Sequence, residues 1–242
     1  MVPQIETGQV FPKSFKALSA RFGPFFGSVL AIYLPLTLAF AAFSVVETED
    51  PGTVFFILFL LGFVPLLLLS PLATAAVVRG VFLHLRGEDV RFADCWHGLG
   101  SIWLSVIVAS VAVGLLSFLG LIACIVPGLI IQTGLFVAIP CLVVERDGVG
   151  NAFSRSWHLT DGNRLQIFFI VLGLGVLGLV LGKGSELLGT TLSMGVVGTE
   201  VFSLVVQAFL STLQAVVAGV VYFELRRLRD GIELEELAAV FD

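Results

Sequence analysis

The feature that most constrains this chain is a series of apolar runs, each about as long as a lipid bilayer is thick. In hydrocarbon a helix must satisfy its own backbone hydrogen bonds, and about 20 residues cross an apolar core of roughly 30 Å. Such runs cover residues 25–46, 54–78, 102–144, 165–181 and 201–223. The third would form a helix of about 64 Å, roughly two crossings. Near its middle, Pro127-Gly128 is a turn signal. Split there, the chain reads as an all-α polytopic integral membrane protein, with six transmembrane helices in three hairpins and short interfacial helices on the cytoplasmic side. The composition agrees: 57% hydrophobic and 13% charged residues lie outside the range of soluble globular domains.

Basic residues near span ends are retained on the cytoplasmic side, which fixes an expected direction. Lys13, Lys16 and Arg21 precede the first span; Arg79, Arg86 and Arg91 follow the second; Arg146, Arg155 and Arg164 follow the fourth; Arg226, Arg227 and Arg229 follow the sixth. That places 12 of the 13 basic residues inside, with both termini cytoplasmic. Ala39-Phe40-Ala41 resembles a signal cleavage site. The apolar stretch before it exceeds a signal core, however, so an uncleaved span is the better reading.

Three regions follow. Residues 1–24 form a basic amphipathic interfacial segment, in which Phe11, Phe15, Leu18 and Phe22 share a face and Pro12 suits a first helical turn. Residues 25–225 form the transmembrane domain. Residues 226–242 form an amphipathic tail with Leu234, Leu237 and Phe241 on one side and Glu233, Glu235 and Glu236 on the other. Anionic lipid repels that acidic side, so the tail is expected to dock on the protein's own arginine-bearing loops.

A net charge of −5 excludes a nucleic-acid partner, which needs a clustered basic excess. The expected partners are the lipid bilayer and phospholipid headgroups. No HExxH, GxSxG, GxxxxGK or CxxC segment is present, so no catalytic or metal site and no cofactor is expected. His84, His97 and His158 read as interfacial polar residues, and Cys95, Cys124 and Cys141 as free thiols.

Within the spans, Ser203, Gln207, Ser211 and Gln214 fall on one face of the last helix, with Gln132 and Thr133 as candidate partners on the fourth. This polar stripe is expected to point inward, as packing glue or as the lining of a polar path. Gly178 and Gly182 form a GxxxG pair in the fifth helix, which favours close helix packing. Lys183 and Glu186 sit at its outer end as an ordinary i,i+3 pair. Pro35, Pro65, Pro71 and Pro140 lie in or near spans and loosen their hydrogen-bond ladders.

Arg86-Gly87-Glu88, Arg146-Asp147-Gly148 and Arg229-Asp230-Gly231 open related cytoplasmic segments, two of which continue to Trp96-His97 and Trp157-His158. They suggest a weak threefold repeat. The second belongs to a longer motif over 140–163, P-x4-E-x-D-G-x3-A-x2-R-S-W-x-L-T-x-G-N. Together with Leu225-Arg226 and the later Asp230-Gly231-Ile232-Glu233-Leu234, this motif resembles the membrane domain associated with bacterial glycerophosphodiester phosphodiesterases and its stand-alone six-helix relatives. The resemblance implies a bacterial inner-membrane domain, without the hydrolase, since no HExxN-like segment is present. Glu145, Arg155, Ser156, Trp157 and Thr160 are the motif positions retained. Physically the motif is an interfacial helix with Trp157 at headgroup depth, and Glu145 is placed to pair with Arg155 across the turn, as a structural brace. The leading functional expectation is a non-enzymatic scaffold or lipid-binding module in envelope or lipid homeostasis. A transporter using the stripe is the alternative, and a membrane-embedded enzyme is third.

Overall fold

A computed structural model describes residues 5, 7–44, 51–60 and 64–231. Among these residues the protein is all helical. The helices are α1 (Thr7–Ala20), α2 (Phe22–Ser44), α3 (Pro51–Leu58), α4 (Val64–Leu85), α5 (Phe92–Trp96), α6 (Trp103–Ala123), α7 (Ile125–Gly134), α8 (Ala138–Glu145), α9 (Val149–Thr160), α10 (Arg164–Thr191) and α11 (Gly195–Asp230). Five segments are long and apolar enough to cross a membrane, and six if α1 and α2, which meet at 84°, are counted as one bent span. The tail at 232–242, including Leu234, Leu237 and Phe241, lies outside the described residues.

The apolar runs understate the helices. The second run stops at Val78, yet α4 continues to Leu85; the fourth stops near Leu181, yet α10 continues to Thr191. The last run begins at Val201 and stops at Phe223, whereas α11 occupies Gly195–Asp230. Hydropathy marks where a helix needs hydrocarbon, while the backbone ladder goes on until a residue closes it. For α11 that residue is Gly231, in the left-handed region at φ 64.

The central hairpin turns one step earlier than Pro127-Gly128 predicts. Cys124 is extended, at φ −174 and ψ 152, and Pro127 falls in the first turn of α7, where its missing N–H costs nothing. Gly128 is a contact surface rather than a turn: a Cβ there would stand 2.7 Å from the Leu121 backbone nitrogen, and one on Gly120 would stand 2.9 Å from the Gly128 Cα. The two helices touch backbone to backbone.

The α1 face also differs from the phenylalanine stripe. Val10, Ser14, Ala17 and Leu18 are the buried positions, whereas Phe15 and Phe22 are largely exposed. Pro12 lies inside the helix rather than in its first turn. The short side chains win the inner face because α1 packs flat against α11, and its N-terminal side is tied down where Ile5 N donates to Asn163 Oδ1 at 2.8 Å. Lys13 reaches Glu224 at 2.6 Å, and Arg21 pairs with Asp89.

The segments proposed as a repeat end up in different roles. Gly87 follows α4 and Gly231 closes α11, whereas Gly148 precedes α9; Trp96 ends the short α5, whereas Trp157 sits in mid-helix.

The core gathers at the end that carries the arginines. Phe25, Val77, Leu142, Leu159, Ile167, Leu213, Tyr222 and Leu225 are all essentially fully buried there. The packing is tight: a Cβ on Gly80 would lie 2.7 Å from both Cys95 Sγ and Phe25. Away from this basic end, Phe118, Leu119, Ile122, Leu179, Val180 and Leu187 stand exposed on α6 and α10. Apolar surface of that extent calls for a non-aqueous surrounding and fits a multi-pass membrane protein.

Candidate functional site

Two polar regions lie at opposite ends of α11. At the basic end the motif residues are organised by a break in the helix they follow. Pro140 has no N–H, and its ring opposes a continuous helix through Phe136. The chain therefore stops α7 at Gly134, turns through 135–137 and restarts with Pro140 in the first turn of α8. Across the break Ala138 N donates to Leu135 O instead of to Gly134 O, which leaves the Gly134 carbonyl for other donors. Ser156 Oγ donates to it at 2.8 Å and Thr160 Oγ1 at 3.2 Å, both from the buried side of α9. The Trp157 ring lies against the same residue, so a Cβ on Gly134 would meet it at 2.5 Å. Arg164 stacks on the outer face of Trp157 at 4.1 Å from the ring centroid.

One turn away, five side chains from α8, α9 and α11 close a ring. Arg155 Nε donates to Glu145 Oε1 at 3.2 Å, and Tyr222 Oη donates to the same oxygen at 2.8 Å. Arg226 Nη1 donates to Tyr222 Oη at 3.1 Å, and Arg226 Nε lies 3.5 Å from Asp230 Oδ2. Arg155 Nη2 pairs with that Asp230 oxygen and completes the circuit. Burial alone would lower the Arg155 pKa, but its hydrogen bond to Asp230 and the charges of Glu145 and Asp230 more than offset this and raise it. The guanidinium is therefore held cationic. Outside the ring, Arg229 bonds the Asp161 carbonyl and lies 3.4 Å from His158.

The motif residues are thus brought together, but each is engaged by another part of the chain. Arg226 and Asp230 stand in the resembling stretch of the sequence, but nothing there pairs them with Arg155, since Asp230 lies 75 residues away. One signal was available: the chain has only two tyrosines, and the hydroxyl of each finds a polar side chain.

The second tyrosine belongs to the far end. Tyr33 Oη lies 3.1 Å from Ser211 Oγ, and Ser185 Oγ lies 3.5 Å from Ser203 Oγ. Between α2, α4, α10 and α11 opens a groove of about 640 Å³. Ser203 and Gln207 line it with Thr37, Ser70, Thr199 and Glu200, beside Leu66, Leu67, Leu204 and Val206. Gln214 does not line it and is exposed, as is Gln132 on α7, so the stripe does not point inward along its whole length. Thr133, buried, bonds its own helix through the Leu129 carbonyl at 2.8 Å. The groove closes inward: from Ala215 to Tyr222 every side chain of α11 is buried. Gly178 and Gly182 face no tight neighbour, whereas Gly189 is the close contact of α10, where a Cβ would lie 2.5 Å from Thr199.

Among the described residues no group of three or more His, Cys, Asp or Glu side chains converges to hold a metal ion. All three cysteines are free, and burial pushes the Cys95 thiol pKa up. In class, the fold is that of an all-helical protein with five or six helices of membrane-spanning length. The chain matches no family model, no curated protein and no solved structure.

Proposed function

We propose that the chain is a non-enzymatic integral membrane protein of the bacterial inner membrane, a lipid-binding module acting in envelope or lipid homeostasis. Its six transmembrane helices form three hairpins, with both termini in the cytoplasm and the basic end on that side. The observation that carries this reading is the lining of the far-end groove, which lies between four helices and sets hydroxyls, Gln207 and the carboxylates Glu186 and Glu200 beside leucines. A lipid presents that pairing of polar and apolar surface, and lateral entry is how it would arrive from a bilayer. The motif that resembles the membrane domain associated with glycerophosphodiester phosphodiesterases belongs to the same proposal as a structural element. Its support is that Glu145, Arg155, Ser156 and Thr160 are all bonded within the chain.

Native mass spectrometry of the purified protein with co-isolated lipid tests this, comparing wild type with Ser203→Val/Gln207→Leu. A defined lipid retained by wild type and lost from the folded variant is the expected result. Bulk lipid, equal in both, would leave the groove as a packing defect and return the protein to a plain scaffold.

A further inference from the structure

We propose a second site, separate from the groove, that binds an anionic phosphate headgroup at the basic end. A pocket of about 400 Å³ opens between α4, α8 and the segment joining α5 to α6, and Arg79, Arg86, Arg146 and His97 line it. One carboxylate, Glu88, lines it too, and lies 3.6 Å from the Arg86 Nε. The nearby Asp94 caps its own helix, accepting from Arg91 N at 2.9 Å. Among the described residues Arg79 and Arg146 each donate to a backbone carbonyl and form no ion pair, which leaves positive charge in a partly enclosed space. Like charges held together this way repel, and an anion with several acceptor oxygens relieves the repulsion while satisfying the donors.

The backbone around Arg146 reinforces the assignment. Arg146 is a non-glycine residue in the left-handed region, at φ 57, where it caps α8. Its side chain lines the pocket with Nη2 3.5 Å from the carbonyl of Gly98, another lining residue. Gly98, itself at φ 73, leaves the space: a Cβ there would stand 2.9 Å from the same nitrogen. Strain of this kind persists where the surroundings require one side-chain position. On the opposite wall Arg79 is oriented by its Nε, which donates to Asp94 O at 3.1 Å.

Depth selects the ligand. Arg79 stands about 9 Å inside the C-terminal end of α4, and the wall beside it is Phe82, Val143 and Val144. Guanidiniums above an apolar wall suit a phosphate that carries acyl chains, and basic pockets between helices at this level recognise anionic headgroups. Free phosphate shares the headgroup's chemistry without the apolar part.

The test is native mass spectrometry of the protein released from nanodiscs of phosphatidylglycerol and phosphatidylcholine in equal parts, with inorganic phosphate added as competitor. Wild type should retain phosphatidylglycerol in preference, and Arg146→Gln should reduce that preference roughly tenfold, the effect of one charge-assisted bond. Arg146→Lys should recover part of it, and Lys183→Gln, in neither pocket, should leave it unchanged. Displacement by inorganic phosphate would show that the phosphate alone is recognised, and resistance that the acyl part is needed; both support the site. Arg146 is exposed, so its variants should fold, and a sharp elution profile verifies this. Equal retention of the two lipids by wild type, or an equal loss in the remote Lys183→Gln, would overturn the proposal. Loss in Gln207→Leu alone would overturn it while leaving the groove reading intact.

Discussion

The ring at the basic end and the groove at the far end both draw polar side chains from α11, yet they differ in what their polar atoms touch. In the ring, Glu145, Arg155, Tyr222, Arg226 and Asp230 contact one another around a closed circuit, by hydrogen bonds except where Arg226 Nε meets Asp230 as an ion pair at 3.5 Å. In the groove, Tyr33–Ser211 and Ser185–Ser203 are pairs at the edge of an open space, and Gln207 faces that space. A closed polar network in a low-dielectric setting rigidifies and fixes one arrangement, because opening it strands charge. An open one leaves donors and acceptors for something else. The same helix can therefore brace at one end and bind at the other.

The sharpest way to break the comparison is Arg155→Ala. It leaves Glu145 with no cation, only the Tyr222 hydroxyl, and Asp230 with Arg226 alone, both carboxylates being less than one-fifth exposed. The expected cost is about 3 kcal/mol, the usual penalty for an orphaned partly buried charge. A thermal melt in detergent measures it, and a melt unchanged from wild type would remove the brace. Because the Arg155 pKa is raised above the ordinary guanidinium value, its stabilising share is full below that value and is lost only at still higher pH. The stability difference between wild type and variant should therefore not shrink through titration of Arg155 in any buffer near neutrality.

Gly134→Ala comes next. Its Cβ would meet the Trp157 ring at 2.5 Å, and the same ring carries Arg164 at 4.1 Å from its centroid. A loss of about 2 kcal/mol is expected for overpacking, and it should shrink when Trp157→Ala is combined with it. Full additivity of the two changes would mean that they do not touch. Ser156→Ala is smaller, about 1 kcal/mol, since Thr160 still donates to the Gly134 carbonyl.

At the groove the pattern should invert. Gln207→Leu changes an exposed side chain and should move stability by no more than about 0.5 kcal/mol, while lipid retention falls.

How much of this was legible follows from range. The apolar runs announced the spans, and the pairing of Glu145 with Arg155 lies within a single turn between helices. Pro140 stood in the sequence as a loosened ladder, but which carbonyl it would free depends on where the chain resumes its helix. The hairpin turn was misplaced by reading Pro127-Gly128 as a break, because a proline also suits a first helical turn. The phenylalanines of α1 have the right period for a buried face, yet flat packing on α11 chose Val10, Ser14 and Ala17. Asp230 stands in the resembling stretch, yet its pairing with Arg155 and that of Tyr222 with Glu145 bridge 75 and 77 residues, which no local pattern marks. The groove depended on Tyr33 and Ser185, isolated polar residues in apolar helices whose meeting with α11 is decided by packing.

The most direct test measures retained lipid per folded molecule, by native mass spectrometry, for Arg155→Ala and Gln207→Leu side by side with their melting temperatures. The account expects Arg155→Ala to melt early while its surviving folded fraction keeps the lipid, and Gln207→Leu to melt as wild type does while losing it. Loss of lipid in step with stability in both variants would contradict a division of α11 into a bracing end and a binding end.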